Sequence, residues 1–375
     1  MKIGLLTYYG DLNCGTNLQA LASLKVLRKV YAGDKVEIIP IHGFIPPGKK
    51  PYLTSFTLKS LYNDLIRINK YNRFTEEQLN VKKDNIIKDI DKGLEFIKSL
   101  NYDKIFVGSD TLLELDRIHT DKKLSLYWLS KSIKAKKYLL SASAKNLSFE
   151  DLSEIQRKLA LETINDFSAL GVRDNNTKLL LSHLTQKERI KITPDPTFSL
   201  DIDNSLTEKY LKQKKIVIPK NSICFHTTKN DKNINVYVKE LKKLGYSIFS
   251  LRPAYWADYI LNDMSPLEQL GIYKYFSCVV THRFHDSIFC IKNKTPFLLY
   301  SPQNFGVSST GLSKFTELLQ SFELEDLCYL HSINSNIISR IDKCIEGFNT
   351  LCDRISEKEN SLKNEFIDFI KETKQ

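Results

Sequence analysis

Cys278-Val279-Val280-Thr281-His282-Arg283-Phe284-His285-Asp286-Ser287-Ile288-Phe289-Cys290-Ile291-Lys292-Asn293-Lys294-Thr295-Pro296-Phe297-Leu298-Leu299-Tyr300-Ser301 is the stretch that decides the fold. Cys278 to Val280 is a short apolar, β-branched run of the kind a buried parallel strand needs. Asp286 and Ser287 are placed to cap a following helix whose apolar face is Ile288, Phe289 and Ile291. Thr295-Pro296 then opens a second apolar run, Phe297 to Tyr300, which reads as the next parallel strand. His282, Arg283 and His285 therefore stand where a strand ends and a helix begins. Open α/β sheets bind ligands at that place, and helix amino ends favour anions. Arg283 can grip a carboxylate or phosphate through two parallel hydrogen bonds. His285 can donate or accept a proton near neutral pH. Three cationic groups crowded at one strand end repel one another unless an anion neutralises them. The cluster predicts a site for a small, doubly anionic donor.

Working outward, the same alternation fills the chain. Lys2 to Tyr9 reads as a first strand, followed by the loop Gly10-Asp11-Leu12-Asn13-Cys14-Gly15-Thr16 and an amphipathic helix from about Leu18 to Val30. No Gly-Lys-Ser/Thr ends that loop, so it is not a Walker motif. Asn13 and Thr16 can donate hydrogen bonds to a ligand there, or the loop can be a tight turn with an asparagine cap. Helices are expected over about Leu58 to Phe74 and Asn85 to Leu100, with a basic irregular loop around Lys49 and Lys50 before them. The strand Lys104 to Val107 ends in Gly108-Ser109-Asp110, where Asp110 either caps a helix or meets a sugar hydroxyl. Arg173 follows the strand Ser168 to Val172 and either joins the site or pairs with Asp174. Pro194-Asp195-Pro196-Thr197 and the polar residues to about Leu206 read as an interdomain linker. Beyond it, the strand Ile223 to Phe225 carries His226-Thr227-Thr228 at its end. The expected division is a Rossmann-like domain over residues 1–200, a second over 207–334, and a C-terminal helix over 335–375 that packs back on both. Such a chain is α/β, with two sets of strand ends facing one cleft, which suits a transferase that closes on two substrates.

Composition narrows the class. At 375 residues, 42% apolar and 11% aromatic, the chain has the make-up of a soluble globular protein with two cores. The seven cysteines show no CxxC pair and no zinc-type spacing, as expected of buried reduced thiols in a cytoplasmic protein. No run reaches the length of a membrane span, and the first residues form no signal peptide. A net charge of +11 invites nucleic acid, but the lysines are interleaved with acids along the whole chain. No nucleic-acid partner is expected. Anionic substrates, or peripheral contact with an acidic membrane face, fit better.

The chain carries, in order, Ile3 to Tyr8 with Asn13-Cys14-Gly15-Thr16-Asn17-Leu18-Gln19-Ala20, then Gly108-Ser109-Asp110, Gly171-Val172-Arg173-Asp174, Asp195-Pro196-Thr197-Phe198, and Thr281 to Phe289. Together these motifs resemble the polysaccharide pyruvyl transferase family. Their order and spacing over most of the chain are specific; each motif alone is weak. The resemblance implies a GT-B-like fold and transfer of pyruvate from phosphoenolpyruvate onto two hydroxyls of a sugar as a cyclic ketal, in cell-surface or capsular polysaccharide synthesis. It implies that Arg283 and His285 hold phosphoenolpyruvate and that Arg173 is a second arginine of the site. The chain departs from the pattern at Asp286, where a small residue is common, and at Thr111, where glutamine is usual. The chemistry needs an acid for the methylene carbon, for which His285 is best placed. It also needs a base for the sugar hydroxyl, for which His282, His226, Asp11 and Asp110 are candidates. Phosphoenolpyruvate is a co-substrate, and neither a cofactor nor a metal is expected. An undecaprenyl-linked oligosaccharide is one acceptor that the basic surface suits. The competing classes are a GT-B glycosyltransferase with a nucleotide-sugar donor and a non-enzymatic binding protein.

Overall fold

The computed structural model describes residues 1–42, 58–82, 85–86, 89–115, 124–227, 234–300, 313–330, 333 and 336–374. Lys49, Lys50, Thr228 and Ser301 fall outside them. The first domain runs β1 (Lys2–Leu6), α1 (Cys14–Val30), β2 (Lys35–Ile38), β3 (Ile41–His42), α2 (Leu58–Glu77), β4 (Asn85–Ile86), α3 (Ile90–Ser99), β5 (Lys104–Val107), β6 (Lys136–Ala142), α4 (Glu154–Ile164), β7 (Phe167–Val172), α5 (Asn175–Ser182) and β8 (Ile190–Ile192). The second runs α6 (Asn204–Lys214), β9 (Ser222–His226), α7 (Ile234–Lys243), β10 (Ser247–Ser250), β11 (Tyr259–Ile260), α8 (Pro266–Ile272), β12 (Cys278–Thr281), α9 (Phe284–Asn293), β13 (Phe297–Tyr300), α10 (Lys314–Ser321), α11 (Glu325–Cys328) and β14 (Tyr329–Leu330). Two helices, α12 (Ile337–Thr350) and α13 (Cys352–Glu372), end the chain.

Each domain is built on a parallel six-stranded sheet, in the orders β2-β1-β5-β6-β7-β8 and β11-β10-β9-β12-β13-β14. Helices cover both faces, so the central strands β5, β9, β12 and β13 are buried throughout. The direction of winding reverses between β1 and β5 in one sheet and between β9 and β12 in the other. At such a switch point the connections leave in opposite directions and open a crevice at the strands' carboxyl ends. Helix α1 is buried on nearly every side from Cys14 to Leu24, with the first sheet on one face and α8 and α13 on the other. That explains its weak polar face: a helix apolar all round belongs inside.

The structure corrects four sequence expectations. The linker expected over Pro194 to Leu206 holds ordered, packed structure of its own. Pro196–Ser199 makes a single 3-10 turn with Pro196, Thr197 and Phe198 buried against α1 and α13. Asp195 holds the turn, its Oδ1 accepting from the Thr197 backbone N at 3.0 Å and hydroxyl at 2.6 Å. Helix α6, capped by Asp203 and packed on α8, begins within the same stretch. The helix expected from Asn85 starts only at Ile90, because Asn85–Ile86 pairs with β3. The C-terminal segment is two helices broken at Leu351 (φ −104°, ψ 2°) rather than one. Its first part packs on β12 and β13 and its second on α1, and a single straight rod cannot cover both surfaces. The far end of α13 is anchored by the first domain, where Thr373 O accepts from Lys104 Nζ at 2.7 Å and Tyr31 OH at 2.8 Å. A lysine there also complements the negative end of the helix dipole. Among the described residues no helix is long and apolar enough to cross a membrane.

Candidate active site

Two helix amino ends, one from each domain, meet in the cleft. Gly15, in the first turn of α1, lies so close to the first turn of α9 that a Cβ on it would stand 2.1 Å from His285 Nδ1. The helices thus present their unpaired N–H groups and positive dipole ends to a shared space. The fourth correction concerns the start of α9. Arg283, not Asp286 or Ser287, occupies the N-cap position, with extended backbone (φ −106°, ψ 129°). Its backbone N donates to Thr281 Oγ1 at 3.0 Å, and the Ser287 hydroxyl turns back to Arg283 O at 3.3 Å. Asp286 is then free to turn inward.

One neighbourhood forms around Arg173, at the end of β7. Its guanidinium is 4% exposed, donates to Asp195 Oδ2 at 3.2 Å, and lies 4.0 Å from Asp110 Oδ1. It also stacks 5.3 Å from the Phe284 ring. Asp174 is not its partner, because that carboxylate caps α5 by accepting from Thr177 N at 2.8 Å. Asp195 further accepts from Gln19 Nε2 at 2.7 Å and stands 3.5 Å from His285 Nε2. Burial works to raise the Asp195 carboxyl, but His285, Arg173 and Thr197 outweigh it and hold it well below the usual range. Asp110 accepts from the Thr16 hydroxyl at 2.8 Å. Burial works to raise it too, and Arg173 and His285 hold it down. Thr16 is therefore committed to a carboxylate, and Asp110, ionised and engaged, is a weak proton acceptor.

Lys314, at the first position of α10, completes this group with its Nζ 5.2 Å from the opposite partner of Arg173, the Phe284 ring. Burial, with Arg173 adding, pushes Lys314 down to about 8. An anion contacting Lys314 needs the proton present, so the affinity of such an anion is expected to fall as pH rises through about 8. Lys314→Ala is expected to bind it more weakly and with no such fall; titration of inorganic phosphate affinity from pH 7 to 9 checks both.

A second neighbourhood forms around Arg283. Burial lowers the guanidinium's pKa, with Arg67 adding to the effect and Asp286 opposing it. Among the described residues Arg283 Nε is buried with no hydrogen-bond partner, and so is Arg173 Nε. Arg67 reaches in from α2, donating to Leu12 O at 2.8 Å and stacking 5.3 Å from the Tyr71 ring. Cys14 lies near, but burial pushes its thiol up, so it is no thiolate nucleophile. His226 and Asp286 form a buried pair, Nδ1 to Oδ2 at 2.6 Å. His282 directly follows β12, with its ring 5.9 Å from that of Tyr300.

The structure therefore gathers Arg173, His285, Asp110 and Thr16 on one side of α9's first turn, and Arg283, His226 and His282 on the other. Asp11 and Asn13 are exposed at the cleft rim. Asn13 occupies the N-cap of α1 without a side-chain cap bond, and buried Asn17 instead organises the loop, donating to Asp11 O at 2.6 Å and Asn13 O at 2.8 Å. Sequence reasoning gave no role to Gln19, on the same helix as Thr16, or to Lys314, Arg67 and Tyr273, which come from three other segments. For Gln19 a signal existed, since a glutamine inside a wholly buried helix needs a partner.

Two doubly wound domains, with both switch points turned to one cleft lined by cations and histidines, define an α/β enzyme of GT-B-like fold. The chain is similar to a glycosyltransferase from Rickettsia africae, at 12% identity over 100% of this chain and 96% of that one, with a TM-score of 0.54. It is also similar to UDP-GlcNAc 2-epimerase from Neisseria meningitidis, at 12% identity over 100% of this chain and 98% of that one, with a TM-score of 0.52. At such identity the likeness concerns the fold alone. No curated protein matches the chain. The polysaccharide pyruvyl transferase model matches residues 13–304. The chain belongs to the polysaccharide pyruvyl transferase family and is a transferase. The matched residues include Asn13, Arg173, Arg283 and His285 and leave out Lys314, α12 and α13.

Proposed function

We propose that this transferase moves the pyruvyl group of phosphoenolpyruvate onto two hydroxyls of a sugar, forming a cyclic ketal. The observation that carries the reading is the meeting of α1 and α9 at Gly15 and His285, beside two arginines whose buried Nε atoms lack partners among the described residues. A buried donor left unpaired costs about 1–3 kcal/mol, so a site that keeps two of them is shaped for an acceptor-rich ligand. Phosphoenolpyruvate offers a carboxylate and a phosphate to the cations on either side of α9. His285, whose Nε2 lies 3.5 Å from Asp195 Oδ2, is placed to protonate the methylene carbon. A sugar oxygen then bonds to the carbon bearing the carboxylate, phosphate departs from that carbon, and the second hydroxyl closes the ring. The two hydroxyl protons balance the reaction, one ending on the new methyl group and the other on phosphate. The family supports a sugar acceptor, and a lipid-linked one at an acidic membrane face agrees with the charge of +11.

Thermal unfolding with phosphoenolpyruvate or a uridine-diphosphate sugar, followed by phosphate release with a panel of sugars, tests the reading. Stabilisation by phosphoenolpyruvate and sugar-dependent phosphate release are expected. Stabilisation by the nucleotide sugar alone overturns the proposal in favour of glycosyl transfer.

A further inference from the structure

We infer that Asp286 is a positioning residue that holds His226 as the proton acceptor for the attacking sugar hydroxyl. The inference rests on the pyruvyl-transfer reading above. His226 ends β9 and Asp286 lies in the first turn of α9, just after β12; Thr281 and His226 are register partners across those two strands. The pair therefore sits on the switch point itself, where a ligand enters.

Asp286 is surrounded by donors. His226 Nδ1 lies 2.6 Å from Oδ2, the Thr281 hydroxyl donates to the same oxygen at 2.8 Å, and the Tyr273 hydroxyl donates to Oδ1 at 2.8 Å. Tyr273 in turn accepts from Gln269 Nε2 at 3.2 Å. With every partner aimed at it as a donor, the carboxylate acts only as an acceptor, and burial's upward pull on it is outweighed by His226, Arg283 and Thr281. His226 must then carry its proton on Nδ1, which leaves the Nε2 lone pair as the one available for chemistry. Burial pushes His226 down to about 4, against the pull of Asp286 and with Arg283 and His282 adding, so the ring is neutral at pH 7. A bound anion that offsets Arg283 strengthens this base just when the donor is present. The two carboxylate candidates are less suited: Asp110 is engaged by Thr16, and Asp11 is exposed at the rim.

In the step assigned to it, the hydroxyl O–H bond breaks, the proton moves to His226 Nε2, and the oxygen bonds to the donor carbon bearing the carboxylate. The imidazolium so formed faces the Asp286 carboxylate and later returns its proton to the departing phosphate.

Asp286→Asn separates this role from a structural one. An asparagine amide can donate to Nδ1 and force the proton onto Nε2, so kcat is expected to fall about 100-fold or more. Stabilisation by phosphoenolpyruvate is expected to be kept, since Arg283 loses a competing carboxylate. Nitrogen-15 NMR of His226 is expected to show Nδ1–H in the wild type and Nε2–H in the variant. His226→Asn, which leaves Asp286 its two hydroxyl donors, is expected to lose as much activity, and the double variant no more than either single one. A kcat within about threefold of wild type in both single variants, or an Nε2–H tautomer in the wild type, overturns the inference. The tautomer is read without any sugar, so wild type that fails to release phosphate with any acceptor sinks the proposed function and leaves the NMR arm to judge the pair.

Discussion

Arg283→Ala is expected to remove most of the stabilisation by phosphoenolpyruvate while leaving the unliganded protein's stability within about 1 kcal/mol of wild type. The asymmetry follows from where the side chain stands. Its Nε is buried without a partner among the described residues, and Arg67 repels it. The Asp286 carboxylate draws it in. Removing it therefore relieves about as much as it loses in the empty protein. The bound donor loses a charge-assisted and potentially bidentate contact inside the cleft, an effect of about 2–5 kcal/mol. That corresponds to a rise in Kd of about 30-fold or more. At a hundredfold excess over Kd the wild type gains about 2.7 kcal/mol from the ligand, a shift that unfolding curves resolve easily. Equal ligand stabilisation of the two proteins would place the donor elsewhere. Arg283→Lys keeps the charge but not the fork, and is expected to recover only part of the binding.

Gly15→Ala should cost at least as much in turnover, by a different route. The added methyl carbon would lie 2.1 Å from His285 Nδ1 and 2.2 Å from its Cγ, far inside contact distance. Neither helix can yield readily: α1 is buried on nearly all sides, and α9 is fastened through Asp286 to Tyr273, Thr281 and His226. His285 must leave Asp195, or the two helix ends must part. Overpacking of this kind costs about 1–3 kcal/mol of stability. A displacement of a catalytic group by an ångström costs about 100-fold in rate. We expect kcat to drop by about that factor with phosphoenolpyruvate binding largely kept, because Arg283 stays in place. A kcat unchanged by Gly15→Ala would mean that His285 does not act from this position.

How far the sequence reaches can be judged residue by residue. The cationic turn at His282 to His285 was legible because a β-branched apolar run followed by polar residues and a helical pattern has one main reading in an α/β protein. Lys104 to Val107 and Phe297 to Tyr300 were legible for the same reason, as short runs buried on both faces. Other features were not. Asp195 looked like part of a solvated linker, since prolines and polar residues are also what linkers are made of; only packing against α1 shows it bonded to Gln19 and Arg173. Lys314 is one lysine among many, and nothing local marks it as the one beside Phe284.

The two arginines show the limit most clearly. Sequence placed both at strand ends. The tertiary structure gives them different partners, Asp195 and Asp110 beside Arg173 and Asp286 beside Arg283. Local pattern determines which residues end a strand or open a helix, because strand and helix periods act over a few residues. It therefore determined the α/β class, the paired sheets, and that Arg173, His226, His282, Arg283 and His285 stand at or just past the ends of strands. Which carboxylate faces which histidine depends on contacts between segments tens to hundreds of residues apart, such as Gly15 with His285 and His226 with Asp286. Those pairings are set by how whole elements pack, where close contact, burial and hydrogen-bond satisfaction must all be met at once. Only the folded chain decides them.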